Sequence, residues 1–318
     1  MKRITALAAL AYLVLCSAIF AQQVAIATSA TGSMHNNAGT AIAKVLNEKA
    51  GIQAVVQPFG APTVYMPAVN GGDPLFGLGN VYELTLAYRG TDYFAGRANP
   101  NLRAVAILYP LRNDIFVKKS SNIRKVADLK GMRMPDGFSS QKIILPMLDA
   151  IYATAGLTRA DMKPVYVPTV VQGAEAMMAG KADGFFFSMG SAKIREADAA
   201  VGGIRALEID PSPKNLAMLD KRFPGAYFRL EKPGPDNPGI ETPLYSMAYD
   251  SLIFTSSTAS DDVVYRMVKA IYENRPELIS MFSTFSVLTR EEMAKKLAVP
   301  FHPGAIKFYQ EKGLWPPK

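Results

Sequence analysis

Apolar residues fall along this chain in short blocks of two periods. The run 24–27 is unbroken and of strand length, and it gives way to a loop of small polar residues, Thr28-Ser29-Ala30-Thr31-Gly32-Ser33. Beyond it Ala38, Ile42, Val45 and Leu46 recur at spacings of three and four, a helix that Gly51 closes. The unit repeats with a strand over 54–57, a helix over 62–69, a strand over 75–78 running into Gly79-Asn80, a helix over 81–88 and a strand over 103–108. A second series follows, with strands over 115–118, 132–134, 165–167 and 185–187. Its helices are a short one over 126–131, a long one opening at Gly137 and running to about Ala155, and one over 172–179 that Gly180 stops. Thr158 and Asp161 carry capping-box spacing. Gly and Pro crowd 233–243, after which the pattern predicts a strand passage over 245–255, helices over 261–274 and 289–297, and an ordered aromatic tail. Thr289 and Glu292 have the spacing of a second capping box. Alternation at this rhythm predicts mainly parallel sheet covered on both faces.

At 318 residues the chain exceeds what one hydrophobic core usually serves, and its 49% hydrophobic content excludes disordered and fibrous classes. Lys2 and Arg3 precede an uncharged stretch over 4–21, the charged start and apolar centre of a secretory signal peptide. Cleavage is expected after Ala21, with a cut after Ala18 as the rival and a retained anchor as the alternative reading. Leu15 stands before Cys16 where a lipobox needs a small residue, so lipidation is not expected. Loss of Cys16 with the signal leaves no cysteine, hence no disulfide, thiolate metal site or Cys nucleophile. No later run approaches 18 apolar residues, and the expected location of the mature chain is the periplasm. The net charge of +8 becomes +6 without Lys2 and Arg3. Its basic pairs are isolated and not interleaved with aromatics, which speaks against nucleic acid as a partner.

Two βα series joined by a late return strand predict an α/β, two-lobe fold of the type II periplasmic-binding-protein kind, with a ligand cleft between lobes. The expected division is 1–21 signal peptide, 22–112 with 250–318 as the first lobe, and 113–249 as the second.

The chain also resembles the TAXI family of solute-binding proteins, the extracytoplasmic receptors of tripartite ATP-independent periplasmic (TRAP) transporters. The resemblance is carried best by Asp-Val-Val-Tyr-Arg-Met-Val-Lys-Ala-Ile-Tyr-Glu-Asn at 262–274 and Val-Pro-Phe-His-Pro-Gly-Ala-Ile-Lys-Phe-Tyr at 299–309. Asp-Leu-Lys-Gly-Met-Arg at 128–133 and Ala-Asp-Gly-Phe-Phe-Phe at 182–187 fit as well, though such phrases occur across many periplasmic receptors. It implies a small organic acid as ligand, such as glutamate or a dicarboxylate, and TRAP-type permease subunits as partners. Three ligand-side segments depart from that family's pattern: Thr31 to Asn37, Gly79-Asn80-Val81 and Phe138-Ser139-Ser140. Ligand identity therefore does not transfer.

The candidate ligand residues lie where strands end and helices begin, since backbone N–H groups and the macrodipole there favour an anion. They are Thr31, Gly32, Ser33, His35 and Asn36 in the first loop, Thr63, Asn80 and Tyr82 after the second and third strands, Ser139, Ser140, Gln141 and Lys142 in the second series, and Ser188. Ordinary N-capping by Ser33 or Asn36, a solvated Lys142 and a turn Ser188 are the alternatives. These loops hold no arginine, so a guanidinium clamp is not expected. Gly77 to Tyr82 is a near miss for a dinucleotide fingerprint, with Tyr82 where the last glycine belongs.

Catalysis is not expected. Only His35 and His302 could serve a Ser-His-Asp arrangement, no Gly-x-Ser-x-Gly elbow occurs, and no cofactor or metal site is legible. The alternatives to a receptor are a periplasmic hydrolase using Ser33 and His35, and a surface adhesion or scaffold protein with a vestigial cleft.

Overall fold

The computed structural model describes residues 23–29, 31, 33–60, 62–235 and 237–317. The segment expected to be a signal peptide lies outside the described residues.

The first series forms as its pattern predicts. β1 (Val24–Thr28) leads to α1 (Met34–Val45), whose last turns widen into a π-helical stretch over Leu46–Ala50 before Gly51 ends it at φ 61°. β2 (Ala54–Pro58), α2 (Pro62–Gly71), β3 (Phe76–Asn80) and α3 (Val81–Arg89) follow. The second series contains β4 (Leu102–Lys118), β5 (Arg133–Gly137), α4 (Ile144–Thr154), β6 (Lys163–Val167), α5 (Val170–Met178) and β7 (Gly184–Ser188). α6 (Ala192–Val201), β8 (Ile204–Ala206), α7 (Pro213–Arg222) and β9 (Tyr227–Glu231) occupy a stretch where the sequence pattern suggested no element. β10 (Leu244–Ser256) returns to the first strands, and α8 (Asp261–Glu273), α9 (Arg275–Met281) and α10 (Pro303–Glu311) close the chain.

Four expectations are corrected. The main sheet, ordered β2-β1-β3-β10-β4-β7 with β8 on β4 and β9 on β10, is mixed rather than mainly parallel. β1 pairs in parallel with β2 and β3, whereas β10 runs antiparallel to β3, β4 and β9. Second, the strands expected over 103–108 and 115–118 are one 17-residue strand, β4. Its interruption in the sequence, Pro110 and the polar Arg112-Asn113-Asp114, is accommodated in the sheet. Pro110 lies beside a register shift against β10, where a missing N–H is tolerated; Arg112 Nη1 donates to buried Glu231, Asn113 Nδ2 donates to Leu111 O, and Asp114 Oδ1 accepts from the Ile115 N–H while its Oδ2 has no partner among the described residues. Third, the helix expected from Gly137 starts only at Ile144, because Gly137 (φ 85°) and Phe138 (φ 35°) turn left-handed and 138–143 forms tight turns instead. Fourth, the segment 289–297 contributes one 3-10 turn, Glu291–Met293, although the Thr289 N–H does donate to Glu292 Oε2 at 2.8 Å.

β4 and β10 position the cleft. Over Leu102–Asn113 β4 pairs with β10, and over Asn113–Lys118 with β7 and β8; β10 likewise pairs with β9 before Tyr249 and with β3 after Asp250. Both strands thus pass from one group of strands to the other at adjacent points. Their side chains Val105, Ile107, Ile253 and Phe254 are fully buried in the core. Gly77 and Gly79, which suggested a nucleotide fingerprint, are required by packing: a Cβ on Gly77 would lie 2.5 Å from the Phe254 ring.

Candidate functional site

A cavity of about 700 Å³ opens where these strand ends meet. One wall is formed by the ends of β1 and β3 and the helices that follow them. Ser33 caps α1, its hydroxyl accepting from the Asn36 N–H at 3.1 Å, and Asn80 caps α3, accepting from the Glu83 N–H at 2.8 Å. Each cap satisfies one orphan N–H of its helix. The opposite wall comes from the turns over 139–143, the start of α4 and α5, and the end of β7. There Ser188 donates to Asn113 Oδ1 at 2.6 Å, and the Val170 N–H donates to Gln141 Oε1 at 2.8 Å.

Of the residues proposed from sequence, Ser33, His35, Thr63, Asn80, Ser139, Ser140, Gln141, Lys142 and Ser188 all line this cavity. Thr31 is exposed and Gly32 lies outside the described residues. Asn36 is buried, donating to Thr28 Oγ1 at 3.1 Å, and it does not line the cavity. Tyr82 does not line it either; its ring stacks on Phe223 with centroids 3.8 Å apart, packing that fixes α3. Lys142 lies two residues before α4, in the cavity wall.

Four lining residues with charge or ring character, Arg97, Glu83, Tyr93 and Tyr249, were not among those expected from the sequence. Arg97 reaches the opening from the loop after the Asp92–Phe94 3-10 turn, anchored by its Nη2 donating to Tyr93 O at 3.0 Å. The expectation of a guanidinium-free site is therefore corrected, and the signal was absent because Arg97 follows no strand end. Glu83 is 8% exposed, and burial pushes its carboxyl up to about 7 against a smaller opposing effect of the Asn80 hydrogen bond. Tyr249, buried on β10, completes the wall with Tyr93.

Burial lowers the His35 imidazole to about 4, so it is neutral at pH 7; its Nε2 is buried without a hydrogen-bond partner among the described residues. Its Nδ1 faces Ser29 Oγ at 3.4 Å, while Ser33 Oγ is engaged as a cap, an arrangement that gives a Ser33–His35 nucleophile no support. His302 is buried at the start of α10, where its Nδ1 accepts from the Gly304 N–H at 3.2 Å. Among the described residues no cluster of three His, Cys, Asp or Glu side chains gathers as a metal site.

The fold has solved counterparts. The TctC solute binding protein from Polaromonas aligns at 13% identity over 92% of this chain and 97% of that one, with a TM-score of 0.55. The periplasmic aliphatic sulphonate binding protein SsuA from Escherichia coli aligns at 16% identity over 93% and 89%, with a TM-score of 0.51. The periplasmic binding protein BugD aligns at 11% over 83% and 86%, with a TM-score of 0.52. At these identities the likeness is one of fold, and it is the two-lobe architecture of periplasmic binding proteins. The match that reaches beyond fold runs over residues 26–313, nearly the whole described chain, and by it this protein belongs to the NMT1-like family.

Proposed function

We propose that this protein is a periplasmic solute-binding receptor that takes a small organic anion into the cleft and delivers it to a membrane permease. The cavity carries the reading. It combines the N-termini of α1 and α3, the hydroxyls of Ser33, Thr63, Ser139, Ser140 and Ser188, and the cations Arg97 and Lys142 in one opening. Helix N-terminal N–H groups, hydroxyl donors and a guanidinium are what a carboxylate or sulfonate requires. The volume lies within the range of small-molecule sites.

Lobes of 22–112 with 250–318 and of 113–249 would close by bending at the two crossings, near Arg112–Asn113 and Tyr249–Asp250. The resemblance to TAXI proteins supports a TRAP-type permease as partner, a carboxylate as cargo and export by a cleaved signal. Uptake reconstituted with that permease is then driven by an ion gradient, and a requirement for ATP hydrolysis would contradict it.

Thermal unfolding against a panel of carboxylates and sulfonates tests the receptor reading. An acid present at a hundred times its dissociation constant adds about 2.7 kcal/mol of stability. A panel in which no acid raises the unfolding temperature returns the molecule to the scaffold reading.

A further inference from the structure

Glu83 lies in the cavity wall in the first turn of α3, more than nine-tenths buried, at the helix end to which the receptor reading brings an anion. Asn80 holds it at two points: its Oδ1 accepts from the Glu83 N–H at 2.8 Å, and its Nδ2 donates to Oε2 at 2.5 Å. Oε1 has no hydrogen-bond partner among the described residues. An ionised Glu83 and a bound acid would be two negative groups at one positive helix end, in a buried site that screens them little. A protonated Glu83 removes that repulsion. It also turns Oε1 from a repelling oxygen into a donor, while Oε2 keeps its contact with Asn80.

The groups around Glu83 do not neutralise it by other means. Tyr65 from α2, Tyr93 from the 3-10 turn after α3, Tyr249 from β10 and Tyr82 on its own helix surround it. Burial above all, with the Glu83 charge as a further cause, raises all four phenols, so none is charged at neutral pH. From α1, His35 lines the same cavity and is neutral; β3 contributes only Asn80, and Asp92 of the turn is exposed. The cations of the cavity, Arg97 and Lys142, do not lower the Glu83 carboxyl, which burial leaves at about 7. At neutral pH the empty site is thus divided between two protonation states.

We propose that Glu83 couples anion binding to proton uptake: the acid binds with the Glu83 carboxyl protonated, its Oε1–H donating to the acid group of the ligand. In the ionised fraction the proton comes from the buffer, whose acid form loses it as the O–H bond forms on Oε1. The inference rests on the receptor reading above and adds to it a pH dependence, with binding strong below neutrality and weakening above it as the empty site loses its proton.

Titration calorimetry on the full mature chain decides it, using succinate, glutarate, L-glutamate and methanesulfonate, whose charges are nearly constant between pH 6.5 and 8.5. Amine buffers bring no competing acid. An acid that binds is expected to lose tenfold or more in affinity from pH 6.5 to 8.5. At pH 8, heats in buffers of different ionisation enthalpy are expected to give close to one proton taken up per acid bound. Glu83→Gln is expected to abolish the uptake and flatten the pH profile to within threefold. Should that variant not fold, infrared difference spectra of the wild type at pH 8 decide, with methanesulfonate or carboxyl-13C acids as ligand. Binding is then expected to replace a carboxylate band of the protein by that of a protonated carboxyl. An affinity that is constant or rises with pH, without proton uptake, overturns the inference and leaves the receptor reading standing. Uptake that persists in Glu83→Gln places the proton elsewhere and overturns it as well. If none of the four acids binds at pH 6.5, the receptor reading falls and the inference with it.

Discussion

Glu83 and His35 are buried in one cavity wall with opposite consequences for stability. The Glu83 carboxyl, raised to about 7, holds its proton in the folded state through a range in which the unfolded chain has lost it. Its contribution is fully present below the unfolded value near 4.5 and declines as pH rises toward 7. His35, lowered to about 4, does the reverse: the unfolded chain binds the extra proton between about 4 and 6.5, so stability from this group rises with pH over that window. The two slopes offset between about pH 4.5 and 6.5. Glu83→Gln removes the declining one, and urea unfolding is expected to show this variant gaining on the wild type by up to about 3 kcal/mol between pH 4.5 and 7. A difference independent of pH would mean that Glu83 is ionised throughout.

At the same scale, anion binding is divided among donors of unequal strength. Neutral hydroxyls contribute roughly 0.5–1.5 kcal/mol each, so Ser33→Ala and Ser140→Ala are each expected to weaken binding by about tenfold or less. Arg97→Ala, which removes a charged donor worth roughly 1.5–3 kcal/mol, is expected to weaken it by about tenfold or more in calorimetry. Equal losses from all three variants would place the anion away from Arg97. The serines were legible because they follow strand ends. Arg97 was not, since only the folding back of the segment after α3 brings it to the opening.

Elements are held at the crossing by a buried ion pair. Arg112 Nη1 on β4 donates to Glu231 Oε2 on β9 at 2.8 Å and to Asn237 Oδ1 at 3.1 Å, with both charged side chains under 10% exposed. Breaking such a pair from one side leaves a buried charge, and Arg112→Met is expected to cost about 3–5 kcal/mol in urea unfolding. Arg112 does not line the cavity, so acid affinity in the folded variant should stay within a few-fold of wild type. Gly77→Ala, whose methyl would overlap the Phe254 ring, is expected to cost about 1–3 kcal/mol by overpacking. The βα rhythm and most strand positions were readable because each buries an apolar block. The hydrophobic pattern divides β4 in two because its polar centre looks like a loop until Glu231 and Ser188 are brought beside it. The helix expected from Gly137 was placed too early for a related reason: a left-handed pair, Gly137 and Phe138, is invisible in hydrophobic spacing.

For the molecule as a whole, the long strands β4 and β10 run between the two groups of strands beside the cavity, which is the construction a hinge needs. Behind the cavity, Asp250 on β10 accepts from Tyr227 on β9 at 2.7 Å and from Lys295 at 2.8 Å, a contact that spans the crossing. The central claim is that an organic acid bound in the cavity draws the walls together, and the distance across the opening measures it most directly. Val64, next to cavity-lining Thr63, and Tyr166, in β6 on the other side, are 58% and 78% exposed and tolerate labels. Because Cys16 lies in the expected signal peptide, Val64→Cys with Tyr166→Cys gives a mature chain labelled at two sites only. Pulsed electron-spin distance measurements should show the separation shorten by several ångströms with the acid that most raises the unfolding temperature, and remain unchanged with acids that do not bind. An unchanged distance under calorimetrically proven saturation would contradict the account.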